Sequence, residues 1–426
     1  MKELEHALSQ HCGVHDWRFR RVFRREHQLY LTGAVKENTR EVTSDTTRVT
    51  VYHDHPGRGA ASFTLLPGDR NLEKRVNWAV LAAGMVSNPP HGLPAPAPYP
   101  QVQLVDAALA TRAAGVIGDL ADTLVETVAA EQDVYLASAE LFAGYEEVEF
   151  ANSRGATGSY AATDLFLEFV ITARSGASEA ETYHSARRRA TSLLDIREEA
   201  REQARAARDT LAAGLPEGGI FPVVVAGREL SSLFAPFLFQ LDAQNHYRKI
   251  SRIQLGESVF GEREVTGDPL TLCSDSLFAW GNSSAPFDRE GLPGRSLVLV
   301  QAGRARALLA TQQYAEYLGV TPTGTSGCTV VQAGPWPARE LEQQARFLLT
   351  SFSSLQVDPI TGNFAGEIRL GYDLSGADPV PVKGGSIAGN VFEALAGARY
   401  SREQHFTGGF QGPRAVFLPA TRVSGR

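Results

Sequence analysis

Val357-Asp-Pro-Ile-Thr-Gly-Asn363, Gly366-Glu-Ile-Arg-Leu-Gly-Tyr372 and Pro381-Val-Lys-Gly-Gly-Ser-Ile-Ala-Gly-Asn390 decide the fold. The first reads as a turn, because Asp-Pro and Thr-Gly-Asn are turn formers. The second alternates as a strand does. The third is a Gly-rich return that leads into a short helix at Val391-Phe-Glu-Ala-Leu395. Strand, turn and return in so few residues describe a sheet folded back on itself. Working outward, Ile220-Phe-Pro-Val-Val-Val-Ala226 is a buried strand, followed by a short apolar helix at Leu230–Leu241. Strands and turns run from there to Val331, with a helix expected at Ala338–Leu349 and mixed strands beyond it.

The first half reads differently. A short helix is expected over residues 2–11. Trp17-Arg-Phe-Arg-Arg-Val-Phe23, Leu29-Tyr-Leu31 and Thr47-Arg-Val-Thr-Val-Tyr52 then alternate with period two, as in a sheet with one wet face. Helical spacing covers Asn71–Met85 and Ala113–Glu131. Between them Asn88–Pro100 is too rich in proline for helix or central strand. A long hairpin spans Asp133–Thr172, turning at Asn152-Ser-Arg-Gly155. Residues 191–213 form a helix with a small-residue stripe at Ile196, Ala200, Ala204, Ala207 and Leu211, ended by Gly214 and Pro216. The expected fold class is therefore α+β. Residues 1–214 form an antiparallel sheet with helices, and residues 215–426 form a strand-rich, barrel-like domain.

The chain has 426 residues, 43% hydrophobic and 21% charged, with a formal charge of -7. That is enough for two cores, and it is the wrong balance for non-specific nucleic-acid binding, which needs a basic surface. Cys12, Cys273 and Cys328 are odd in number and widely spaced, so a reducing compartment is expected instead of a disulfide framework. No apolar run follows Met1 or approaches the length of a membrane span, and a cytoplasmic location is expected.

The C-terminal stretch resembles the signature of the TldD/PmbA family. Four more segments resemble it in the same order: Val148-Glu-Phe-Ala-Asn-Ser-Arg-Gly155; the helix ending near Leu215 with Gly219–Val225; Pro286-Phe-Asp-Arg-Glu-Gly291, followed by the paired strand Val298–Leu309 and short helix Tyr314–Gly319; and Val423-Ser-Gly425. The resemblance implies that one branch of the family is a zinc peptidase. That branch carries a His-Glu pair and a second His on one helix, with a Cys near the C-terminus. The other branch, TldE/PmbA-like, is its metal-free partner.

This chain lacks the His-Glu pair. Its ten histidines stand at 6, 11, 15, 27, 53, 55, 91, 184, 246 and 405, and none is followed by Glu. The corresponding helix, Leu233-Phe-Ala-Pro-Phe-Leu-Phe239, offers Phe234 and Phe239, which cannot bind zinc, and residues 401–414 contain no Cys. The chain thus resembles the metal-free branch. It is expected to hold no cofactor and no catalytic or metal residue, with zinc in a TldD-like partner, and to act on extended or unfolded peptides or peptide-derived natural products. A homodimer is the alternative assembly. A freestanding enzyme with relocated chemistry and a regulatory binding protein remain alternative readings.

Candidate contacts to substrate or partner are Asp288, Glu290, Lys383, Phe234 and Phe239. Asp288 and Glu290 read as a turn that fixes backbone or a partner. Lys383 precedes Gly384-Gly385 and reads as part of a turn. Phe234 and Phe239 read as core or as the lining of a lost metal site. Extended peptides are often held by adding a strand to a sheet edge, and the candidate edges are Gly366–Tyr372 and Pro286–Gly291. His53-Asp-His55 lacks a visible third ligand, Cys328 reads as an inert packed thiol, and Arg187-Arg-Arg189 reads as a solvated face.

Overall fold

The computed structural model describes residues 2–69 and 71–426. In the first half, β1 (Asp16–Thr32), β2 (Val35–Asp54), β3 (Arg58–Leu65), β4 (Val134–Asn152), β5 (Thr157–Ser175) and β6 (Ser178–Arg188) form one antiparallel sheet, ordered β3-β2-β1-β4-β5-β6. Period-two alternation sorts its faces. Leu29, Leu141, Leu165, Leu167, Phe169 and Ile171 point to one side and meet two helices, α3 (Ala107–Ala129) and α4 (Ile196–Ala212), which follow α1 (Lys2–Gln10) and α2 (Leu72–Ala83) in the chain. Ala200, Ala204 and Ala207 of α4 are fully buried, so the small stripe brings that helix close to the sheet. The opposite face is polar: Arg24, Glu26, Gln28, Tyr30 and Arg40 are joined by hydrogen bonds across β1 and β2.

Beyond Thr47 toward its N-terminal end, β2 has only one neighbour. Residues 35–46 pair with β1, and β3 covers only Thr47–Asp54. Among the described residues this leaves a free edge along Val35–Thr46, and residues 35–44 are all exposed.

The second half contains β7 (Gly219–Ala226), β8 (Leu272–Asp275), β9 (Ser296–Gln301), β10 (Arg304–Ala305), β11 (Cys328–Val331), β12 (Phe347–Val357), β13 (Asn363–Asp373), β14 (Val380–Val382), β15 (Ser386–Asn390), β16 (Arg399–Tyr400), β17 (Gln404–Phe406), β18 (Phe410–Pro413) and β19 (Ala415–Ser424). The order β12-β7-β19-β15-β13 closes on itself through a β12–β13 pairing, giving a five-stranded barrel. A second sheet runs β10-β9-β8-β11-β18-β17, and one apolar core serves both. No helix among the described residues is long and apolar enough to cross a membrane.

The opening stretch closes this barrel. Asp358 Oδ1 accepts the backbone N–H groups of Ile360 and Thr361 at 2.8 and 3.1 Å, and Gly362, at φ 78°, completes the turn between β12 and β13. Gly385 has φ 69°, and a Cβ there would lie 2.1 Å from the Ser424 carbonyl oxygen. Only glycine lets the return pass so close to β19.

Two expectations are corrected. The helix expected over Ala338–Leu349 is confined to Ala338–Glu342, because Phe347, Leu349 and Phe352 are needed as core residues of β12. Neither candidate edge is free. β13 is bordered by β12 on one side and by β15 and β14 on the other, with the Ile368 N–H and C=O bonded to Gly385 and Gly384 between them. Pro286–Gly291 is a turn closed by a Phe287–Pro293 bridge.

Candidate functional site

Asp288 and Glu290 sit where the two halves meet. Asp288 Oδ1 accepts the N–H groups of Glu290 and Leu292 at 2.8 and 3.0 Å and so shapes the turn. Its Oδ2 is buried without a partner, and burial together with neighbouring Glu290 pushes its pKa up. Glu290 Oε1 lies 3.1 Å from Arg18 of β1, and Oε2 accepts the Gln312 N–H at 3.0 Å. The same turn presents Phe287 to Phe150 and Tyr160 of the first sheet. The proline-rich connector joins here too: Tyr99 lies 4.7 Å from the Phe287 ring and donates to the Gly291 carbonyl.

Lys383 Nζ donates to the Thr210 carbonyl at 2.8 Å, satisfying an orphan acceptor at the C-terminal end of α4. Tyr372 Oη donates to Asp209 on the same turn at 2.6 Å. The lysine is therefore a tie between halves as well as a turn residue.

Phe234 is fully buried, so it has no surface to give a substrate or partner. It precedes α5 (Ala235–Gln240), whose Phe239 is half-buried. The Phe234 ring stacks on Phe410 with centroids 5.7 Å apart, and His405 lies 5.7 Å from the same Phe410 ring. The helix segment and the 401–414 segment therefore meet, and their meeting point is aromatic carbon. Among the described residues no group of three His, Cys, Asp or Glu side chains could hold a metal ion. The residues present do not fit zinc.

One ring away from Phe234, a cleft of about 810 Å³ opens between β6 with α4 on one side and the barrel with β17 on the other. Its lining includes His405, Phe406 and Arg414, with Arg188 and Arg414 both near His405, and also His184, Glu199, Tyr372, Arg369 and Arg228. Asp288, Glu290, Phe234, Phe239 and Lys383 do not line it. Lys383 instead borders a neighbouring groove of about 470 Å³ beside Arg369.

What the sequence reading missed is the run Arg187-Arg-Arg189, which is not a solvated face. Arg187 grips Asp164 with two bonds of 2.8 Å. Arg189 is buried and donates to the carbonyls of Gly281 and Asn282 across the boundary, both at 2.9 Å. Arg188 enters the cleft. Its position at the end of a strand, just before Thr191-Ser-Leu and the Asp195 cap, was the available signal.

Residues 218–425 match the family model of the PmbA/TldA metallopeptidase C-terminal domain. That part of the chain belongs to the PmbA/TldD family. The whole chain's fold is similar to that of TldE from Thermococcus kodakarensis, with a TM-score of 0.85 and 16% identity over 100% of this chain and 99% of that one. It is equally similar to a Thermotoga maritima protein named as a modulator of DNA gyrase, at TM-score 0.85 and 18% identity over 99% of this chain and 100% of that one. An uncharacterized protein of Methanocaldococcus jannaschii is 26% identical over 210 residues, which are 46% of this chain and 49% of that relative. That alignment spans about half the relative's length. In this PmbA/TldD domain, Phe234 and Phe410 stack within the one apolar core.

Proposed function

We propose that the chain is a metal-free subunit of a TldD/TldE-type peptidase complex, shaping the chamber while a zinc-bearing partner cuts the peptide. The observation that carries this is the Phe234–Phe410 stack, which joins the two segments that bear metal in the active branch and supplies no ligand. A Thermococcus kodakarensis protein with the same whole-chain fold is named TldE. The cleft beside the stack has a volume of about 810 Å³ and is lined by charged, polar and aromatic side chains, which suits a segment of extended chain and is too small for a folded protein.

The test is reconstitution. The purified chain is mixed with a zinc-bearing homologue from the same genome, and cleavage of an unstructured peptide is followed. Cleavage is expected only in the mixture and only without chelator. The melting temperature of this chain alone is expected to be unmoved by chelator. Chelator-sensitive proteolysis by this chain alone would overturn the proposal.

A further inference from the structure

The cleft contains five guanidinium groups, and they are not equivalent. Arg205, Arg228 and Arg369 are paired with Glu198, Glu229 and Glu181 at 3.1, 3.1 and 3.4 Å. Arg188 and Arg414 have no carboxylate in ion-pair contact among the described residues, and both stand at the His405 end. Arg188 Nε donates to the Leu193 carbonyl at 3.2 Å and Nη1 to the Arg187 carbonyl at 3.0 Å, which fixes the fork without neutralising it. The nearest opposing charge, Glu199, is bonded to His184 at 2.8 Å. Glu342 and Glu403 lie near Arg414 without ion-pair contact, and Glu403 accepts the Ala338 N–H at 2.8 Å.

His405 completes the corner. Neither ring nitrogen has a hydrogen-bond partner, although the Pro413 carbonyl stands close without meeting hydrogen-bond geometry. Burial, with Arg414 and Arg188 nearby, holds its pKa below the usual value, and the two unpartnered ring nitrogens are themselves buried behind the cleft lining. A half-buried, anchored guanidinium without a counter-ion lacks one thing, an anion, and its planar fork matches a carboxylate.

We infer that Arg188 and Arg414, beside the His405 ring, form a subsite for a carboxylate carried by a peptide lying in the cleft. This rests on the reading of the cleft as a peptide channel. An α-carboxylate and an Asp or Glu side chain present the same pair of oxygens, and the experiment separates them.

Binding of fluorescent, N-acetylated unstructured peptides to the full chain is measured by anisotropy. One peptide is compared as its free acid and as its amide, and the amide is compared with a form carrying one internal Glu in place of Gln. Either the free acid or the Glu peptide should bind about ten- to a hundredfold tighter than its neutral counterpart. Arg188→Gln should remove that preference. Arg414→Gln, at an exposed side chain, should weaken the preference in a protein whose melting temperature is that of the parent.

Equal binding of charged and neutral peptides would overturn the subsite while leaving the channel reading intact. Tighter binding of inorganic phosphate than of either charged peptide would overturn the carboxylate assignment. Absence of any peptide binding would overturn it as well, and the reconstitution assay with the zinc-bearing subunit would then judge the channel reading separately.

Discussion

Asp288 is a carboxyl with one oxygen committed to a turn and the other buried without a partner. Its spacing showed a turn-former, and that role is what the structure gives it. Its burial was not legible, because the residues that cover it come from the other half of the chain. Since its folded pKa is raised, the folded state favours the protonated form. Its contribution is therefore most favourable below the ordinary carboxyl pKa and is lost as pH rises toward the folded value. Asp288→Asn keeps the acceptor for Glu290 and Leu292 and removes the charge. Urea denaturation should show the variant gaining on the parent as pH rises from 4 to 7; a gap that narrows over that range would contradict the assignment. Lys383 teaches the same lesson: Gly384-Gly385 announced the turn, but nothing nearby announced that the ammonium reaches Thr210.

At the scale of elements, periodicity was a good guide wherever one face met a core and the other met water. The β4–β5 hairpin with its Asn152–Gly155 turn, α3, α4 and the closing strand pair were all legible for that reason. It failed at Phe347–Leu349, where an apolar run suits a helix or a strand equally and the barrel decided. It also could not tell an edge strand from an inner one, since pairing partners lie far away in sequence. Glycine spacing was more informative. Gly385→Ala would force a methyl group to 2.1 Å from the Ser424 carbonyl oxygen in a left-handed backbone. The barrel seam should lose at least about 1–3 kcal/mol, read as a lower denaturation midpoint with hydrogen exchange quickened in β15 and β19. Gly376→Ala, in an open loop, serves as the control.

Across the whole molecule, the two halves are joined by ties invisible to local reading: Arg18 to Glu290, Tyr372 to Asp209, Lys383 to Thr210 and Arg189 to the Gly281 and Asn282 carbonyls. They join residues far apart in the chain, so the candidate site between the halves was the least legible part of the sequence. The resemblance pointed to where metal ligands were missing, while the cleft depends on residues far apart in the chain. The uncovered flank of β2 has a colloidal consequence. Val35–Thr46 contains no proline or glycine, and its open hydrogen-bonding row is guarded mainly by Lys36, Glu37, Arg40, Glu41 and Asp45. Replacing Glu37, Arg40 and Glu41 together by threonine should leave the fold intact. Light scattering should then rise with concentration at salt levels where the parent stays clear. If scattering does not change, the edge needs no guard. If scattering rises as expected, the molecule's dispersal in water depends on a few side chains along one strand more than on its net charge of -7.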